Sequence, residues 1–291
     1  MKKLCAAALL LMFCLFLFSC ADIWASSDST YCGSSDADGI EAPSTAPFAD
    51  NSSAPDSPDS PDSPDSSDMS VAPLTVIIDA GHGFGDPGSQ PSLLGCDEAE
   101  VTFGASLLLQ KKLTEQGIAS VLLHDGKSFP SCDEICSEAD SLGVDYEADK
   151  MRDDAVFSAY ERSIYANIIK KRTPGARCFY ISLHTNSFED SGVSGLSADY
   201  WGGSRCSAVL GDFCTSFKKA AEDSLKKETA VWKDSWEEAF IVTKYADMPS
   251  VLIEMGYGTN PRDAADLKSE KWLSEFTSLL SRLIYDFSDS F

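Results

Sequence analysis

The chain has 291 residues, with 23 basic against 46 acidic side chains, a formal charge of −23 and only three histidines. That balance argues against a nucleic-acid-binding protein, which needs a basic footprint. The acid runs through the whole chain: residues 1–70 hold two lysines and eleven acids, giving −9, which leaves −14 for residues 71–291.

Met1-Lys2-Lys3 followed by the apolar run Leu4–Phe18 reads as the charged and apolar parts of a secretory signal, too short to span a bilayer. Leu17-Phe18-Ser19-Cys20 resembles a lipoprotein signal with Cys20 as the acylated residue, although Phe18 stands where a small residue is usual. The rival is ordinary cleavage after Ala21; the lipoprotein form is the one expected here. Ser26–Ser70 has no lysine or arginine and repeats Pro-Asp-Ser from Pro55 to Ser66. Proline blocks regular helix, the aspartates repel one another and little is left to bury, so this stretch reads as an extended, disordered tether. The expected organisation is a signal at 1–21, an acidic tether at 22–72 and one folded domain at 73–291, large enough to bury a full core. Beyond Cys5, Cys14 and Cys20 the cysteines are Cys32, Cys96, Cys132, Cys136, Cys178, Cys206 and Cys214. That number is odd, so at least one is unpaired or intermolecular.

Within the domain, Val76-Ile77-Ile78 is a β-branched apolar triplet and reads as a buried strand, Val76–Asp79. Asp79–Gly88 follows with four glycines, a proline and two aspartates, a loop of unusual backbone geometry with His82 uncrowded between Gly81 and Gly83. Helical spacing covers Val101–Gln116 through Val101, Ala105, Leu108, Leu109 and Leu113. Ala119–Leu123 reads as a strand that ends on His124. The segment Gly126–Asp154, with Cys132, Cys136 and many acids, has no assigned role; a zinc site on those two cysteines lacks a second Cys or His pair at suitable spacing. Ala155–Lys171 reads as a helix, and Cys178–Leu183 as a strand ending on His184-Thr185-Asn186-Ser187. Ala208–Lys227 reads as a helix whose solvated face carries Lys218, Lys219, Lys226 and Lys227. Phe240–Thr243 is a short strand-like run, Val251–Glu254 a strand, and Leu273–Phe287 the closing helix. This alternation implies an α/β fold, a single three-layer domain with a largely parallel twisted sheet flanked by helices.

Open α/β sheets place their sites beyond the carboxyl ends of the strands. His82 and His184 sit at such ends; His124 also ends an apolar run, so position does not exclude it. Two imidazoles and a carboxylate form the ligand set of a catalytic zinc, with a fourth position left for water. Asp97-Glu98-Ala99-Glu100 supplies the acid. Physics alone does not separate Glu98 from Glu100, because acids in a first helical turn also serve the helix dipole.

Five motifs follow one another: D-A-G-H-G-F-G-D-P-G at 79–88, E-x-x-V at 98–101, R-x-x-x-A-N at 162–167, S-L-H-T-N at 182–186 and V-L-I-E-M-G-Y-G-T-N at 251–260. On these motifs the chain resembles the zinc-dependent N-acetylmuramoyl-L-alanine amidases of bacterial cell-wall metabolism, from Pro73 to Phe287. The resemblance implies a Zn2+ cofactor held by His82, Glu98 and His184, catalysis by Glu254, and a peptidoglycan substrate cut at the amide between N-acetylmuramic acid and L-alanine. The signal-like start of the chain, separately from this resemblance, carries the expectation of an exported protein, in the periplasm or cell envelope, with membrane anchoring through a lipidated Cys20.

Asn186 and Arg162 are expected to be architectural, Arg162 by pairing with an acid. The Thr-Arg pair frequent in the family after the second strand is replaced here by Leu123-His124-Asp125. Gly203–Glu238 is too short for the metal-blocking helical insertion of some division-associated relatives, so no such gating is implied; whether a protein partner activates the chain is left open. The acidic surface offers no attraction to an anionic wall, so binding must rest on specific contacts.

The alternatives are a zinc peptidase cutting within the stem peptide and a non-catalytic, tethered peptidoglycan-binding protein. Glu254 beside a full ligand set argues against the binder, since binding needs no proton carrier. Glu254 has a structural alternative of its own, a cap on the turn at Gly256 and Gly258.

Overall fold

Contiguous β-branched and aromatic runs build the middle of one six-stranded sheet: β1 (Leu74–Ala80), β2 (Ala119–Leu122), β3 (Arg177–Asn186), β4 (Leu196–Tyr200), β5 (Thr229–Lys233) and β6 (Ser250–Tyr257). The computed structural model describes residues 72–152, 156–234 and 237–291, without the side chains of 237–240. The expectations for residues 1–71, signal, Cys20 and tether, lie outside the described residues.

The strand order is β2-β1-β3-β6-β4-β5. β2, β1, β3 and β6 are mutually parallel, while β4 lies antiparallel to β6 and carries a parallel β5 at the edge. The largely parallel sheet of the sequence reading is therefore observed, with a reversed pair at one side.

Helices cover both faces, as a parallel sheet requires. They are α1 (Glu98–Glu115), α2 (Cys132–Leu142), α3 (Ala159–Arg172), α4 (Ser207–Ala220), α5 (Glu237–Lys244), α6 (Pro261–Leu267) and α7 (Glu270–Asp286). Val76, Ile78, Phe179, Ile181, Val251 and Ile253 pack with Leu109, Phe213 and Phe276 of α1, α4 and α7. On the other face Ile77, Tyr180 and Leu252 pack with Ala139, Ile164, Ile168 and Val242 of α2, α3 and α5. The period-two alternation of strand side chains divides the two sets.

Three local readings are corrected. Phe240–Thr243 lies in α5, not in a strand. A short apolar run fits either state; here Val242 packs with Ile164 and Ile168 of α3, and Asn167 of α3 holds the backbone just after the helix, its Nδ2 donating to the Tyr245 carbonyl and its Oδ1 accepting from Asp247 N. The helix expected over Ala208–Lys227 ends at Ala220 and continues as one π turn, Ala221–Leu225, before Lys226 turns left-handed at φ 58°. Lys227 is not on a solvated face: its side chain is 13% exposed and its ammonium bridges Asp263 at 2.6 Å and Asp266 at 2.5 Å. β4, β5, α2 and α6 add to the expected list. α3 begins at Ala159 because Ser158 and Glu161 form a reciprocal cap there.

Candidate metal centre and active site

The parallel strands end on one edge, and the sequence places its histidines there. His82 follows β1, in a loop that doubles back through a Gly83–Asp86 bridge. His184 lies near the end of β3, directly paired with Glu254 of β6. Glu98 opens α1 and reaches over the edge from the side. One donor atom from each of His82, Glu98 and His184 lies within 4.8 Å of the others. His82 Nε2 is 3.3 Å and His184 Nδ1 3.2 Å from the same oxygen, Glu98 Oε1. Among the described residues this is the one His/Cys/Asp/Glu group of such spacing, which leaves Cys132 and Cys136 without a metal cluster.

Two glycines make the convergence sterically allowed. A methyl group on Gly81 would press into the His184 ring, and one on Gly88 would stand 2.6 Å from His82 Cδ2 and 2.8 Å from Glu98 Oε2. Glu98 is 3% exposed and is anchored by backbone donors on both oxygens, Thr185 N at 2.8 Å and Ser89 N at 2.9 Å. Burial disfavours its charge, yet hydrogen bonds and charge from His184 and His82 outweigh that and hold its carboxyl far below the usual range. Burial likewise works against a charged His82, but Glu98 and then Asp86 raise its pKa to about 9.

Glu100 faces elsewhere. It joins Asp97 in the cap of α1, its Oε1 accepting from Asp97 N at 3.3 Å. Beneath the loop, Arg162 is buried against Asp79 at 2.6 Å and donates to the carbonyls of Phe157, Ala80 and His82. The expectation that Arg162 pairs with an acid is met by Asp79, which also accepts from Tyr180 and Ser182. His124 is drawn away from the cluster: its Nε2 lies 3.1 Å from Ala80 O, and its ring lines a separate groove of about 1070 Å³ with Phe129, Asp133 and Tyr165.

Glu254 Oε2 is covered from solvent and has no hydrogen-bond partner among the described residues. Burial first, then Glu98 and Asp199, push its pKa well above the ordinary carboxylate value, with His82 opposing. It does not cap the turn that follows. Asp263 does, accepting from Gly195 N at 2.7 Å and Tyr257 N at 3.0 Å. Three acids near the site were not singled out from sequence. Asp263 is one. Asp199, bonded by Ser197 Oγ at 2.9 Å, lies on β4, where Ser197 pairs directly with Glu254. Asp86 is the third, 2.8 Å from His82 Nδ1; its place in the first motif was the available signal. Asn186 accepts from Ser187 N through its side chain and from Gly258 N through its carbonyl, tying the end of β3 to the turn after β6.

A three-layer α/β domain that delivers two imidazoles and a carboxylate to one strand edge, with a second carboxyl group beside them, has the layout of a metal-site α/β protein. The family model for N-acetylmuramoyl-L-alanine amidase matches residues 76–285, and the chain belongs to that family. It is 27% identical over 194 residues to the N-acetylmuramoyl-L-alanine amidase LytC of Bacillus subtilis (strain 168), covering 67% of this chain and 31% of that protein. The chain thus spans under a third of that relative's length. It is 26% identical over 207 residues to the uncharacterized protein YqiI of the same strain, covering 68% of this chain and 77% of YqiI. The crystal structure of an N-acetylmuramoyl-L-alanine amidase from Clostridium difficile 630 superposes with a TM-score of 0.57 at 18% identity, covering 75% of this chain and 98% of that one. That likeness is one of fold.

Proposed function

We propose that the protein hydrolyses the amide between N-acetylmuramic acid and L-alanine in peptidoglycan, with a zinc ion held by His82, Glu98 and His184 and with Glu254 as proton carrier. The spacing of the donor atoms carries this reading. Groups bound at ~2.0–2.1 Å around a tetrahedral zinc stand roughly 3.3 Å from one another; both imidazole nitrogens lie at 3.2–3.3 Å from Glu98 Oε1, and all three donor atoms lie within 4.8 Å of one another, close enough to converge on one ion. Two imidazoles with one carboxylate also suit zinc chemically. When bound, the ion supplies a Lewis acid for the scissile carbonyl and a water of lowered pKa.

The remaining work falls to the chain's own groups. Glu254, on the strand next to His184, takes a proton from the attacking water and delivers it to the leaving amine. Its covered Oε2 has room in its hydrogen-bonding for that proton. Glu98 and His82 are kept in place by backbone donors and by Asp86, so substrate arrival requires little reordering. We also read residues 1–72 as export signal and tether, with Cys20 lipidated, which brings the domain to its polymer in the cell envelope.

Mass analysis of fragments released from purified peptidoglycan tests the reaction. Intact stem peptides beginning with free L-alanine are expected. New ends inside the stem would replace the amidase with a peptidase, and retention on the wall with no release would leave only a binder.

A further inference from the structure

The His82 ring makes a close side-chain contact with Asp86, Nδ1 to Oδ2 at 2.8 Å. His82 has a left-handed backbone, φ 66°, and Phe84 another, φ 54°. This turn brings Asp86 back over the ring of a residue four positions earlier. The return is fixed twice: Gly83 N donates to Asp86 O at 2.7 Å, and Asp86 N to Gly83 O at 3.2 Å. The two carboxylate oxygens then serve different groups. Oδ1 accepts from Gly88 N at 3.0 Å, and Oδ2 lies 2.8 Å from His82 Nδ1. The opposite ring nitrogen, Nε2, faces Glu98 Oε1.

We propose that Asp86 is a positioning residue for the metal ligand His82, an inference that rests on the ligand reading above. A carboxylate can only accept at Nδ1, so the proton that remains on the ring when a cation binds is the Nδ1 proton. The Nε2 lone pair is thereby left toward Glu98 and His184. The short bond also fixes the ring's rotation and raises the basicity of Nε2, as a carboxylate behind a ligating histidine does. The side chain is 35% exposed, so the bond is set by the loop's covalent path more than by burial.

The competing role is that of a plain turn residue, holding Gly88 N and nothing more. Asp86→Asn separates the two. The amide oxygen can keep the Gly88 bond, which turns the NH2 group toward His82 Nδ1. A donor there favours the tautomer with its proton on Nε2, aimed at the cation. The test is zinc titration of the full-length chain, stripped of metal, against a competing chromophoric chelator. Wild type, Asp86→Asn and His82→Ala are compared, each with a metal-free melting curve. Asp86→Asn is expected to melt like wild type yet bind zinc about 10–100-fold more weakly, and 15N NMR of the zinc-loaded wild type is expected to find the His82 proton on Nδ1. Wild-type zinc affinity in Asp86→Asn, with His82→Ala weakened, overturns the Asp86 role alone. Wild-type affinity in His82→Ala overturns the ligand reading and this inference with it.

Discussion

Arg162 and Asp79 form an ion pair inside the domain, Nη1 to Oδ1 at 2.6 Å, with 4% and 0% of their side chains exposed. The same guanidinium donates to the carbonyl of His82 at 2.5 Å, so the pair props the loop that carries a site residue. Burial opposes the Asp79 charge most, but Arg162, His184 and the Ser182 hydrogen bond together outweigh it and keep the carboxyl below its ordinary value of 3.8. Asp79→Asn retains polar groups for Tyr180 and Ser182 while stranding the guanidinium, so a loss of about 3–5 kcal/mol is expected in urea unfolding. A loss under about 1 kcal/mol would mean the pair is not the prop inferred here. For wild type the sign follows from the depressed pKa: the stabilisation is full above about 3.8 and drains away as pH falls toward the lower folded value.

Cation binding should be coupled to protons through His82. In the metal-free chain its pKa is raised to about 9 by Glu98 and Asp86, against burial. Below that pH the ring must shed a proton before Nε2 can ligate, so zinc affinity should climb by about tenfold per pH unit from 7 toward 9 and then level. Isothermal titration in two buffers of different ionisation heat checks this. Release of no proton at pH 7 would place the ligating nitrogen elsewhere.

The parts of this architecture legible in the sequence are those where burial is uniform. β1, β3 and β6 are covered on both faces, and runs such as Val76-Ile77-Ile78 are wholly buried, so pattern alone finds them. β4 was hidden because Leu196-Ser197-Ala198-Asp199 alternates buried apolar with buried polar side chains, the polar ones turned to the face that holds Glu254. β5 is a half-exposed edge strand. α2 buries only Ile135 and Ala139 and reads as an acidic loop, although Ser131 and Glu134 spell its cap. The histidines were legible as strand ends, but the partner of His82 was not, because Asp86 reaches it only through left-handed turns that no period announces. Glu98 and Glu100 differ by two positions, about 200° around a helix, and only the fold says which direction faces the cluster.

That difference gives a sharp test. Purified protein should carry about one zinc per chain, and His82→Ala or His184→Ala should lose it. Glu98→Ala should lose it too, whereas Glu100→Ala, which removes one half of a helix cap, should keep the metal at a cost of about 0.5–1 kcal/mol in stability. Metal analysis of the four variants decides the third ligand; zinc lost from Glu100→Ala and kept in Glu98→Ala would reverse the assignment.

Export and anchoring are read from the first residues and tested on the mature chain. Mass spectrometry of its N-terminus should find a lipidated Cys20. If extended like polyproline at ~3.1 Å per residue, Ser26–Ser70 would then let the domain reach on the order of 100 Å from the membrane. An unmodified start at Asp22 would indicate ordinary cleavage after Ala21 and a released protein.

Glu254 bears the heaviest prediction. It pairs with His184 across β3 and β6, its Oε2 is unpartnered among the described residues, and the following turn is capped by Asp263 instead. The three-donor set is complete without it, and a fourth protein ligand would occupy the position that water needs. Glu254→Gln keeps size and hydrogen-bonding capacity but cannot accept a proton. Zinc content and melting temperature should hold, while turnover on purified peptidoglycan falls by about 10²–10⁴-fold, the range for a placed acid–base group. Loss of zinc along with activity would make Glu254 a ligand. Near-normal turnover would send the proton through another group, and Asp199, one strand over and on the same face of the sheet, would be the next to replace.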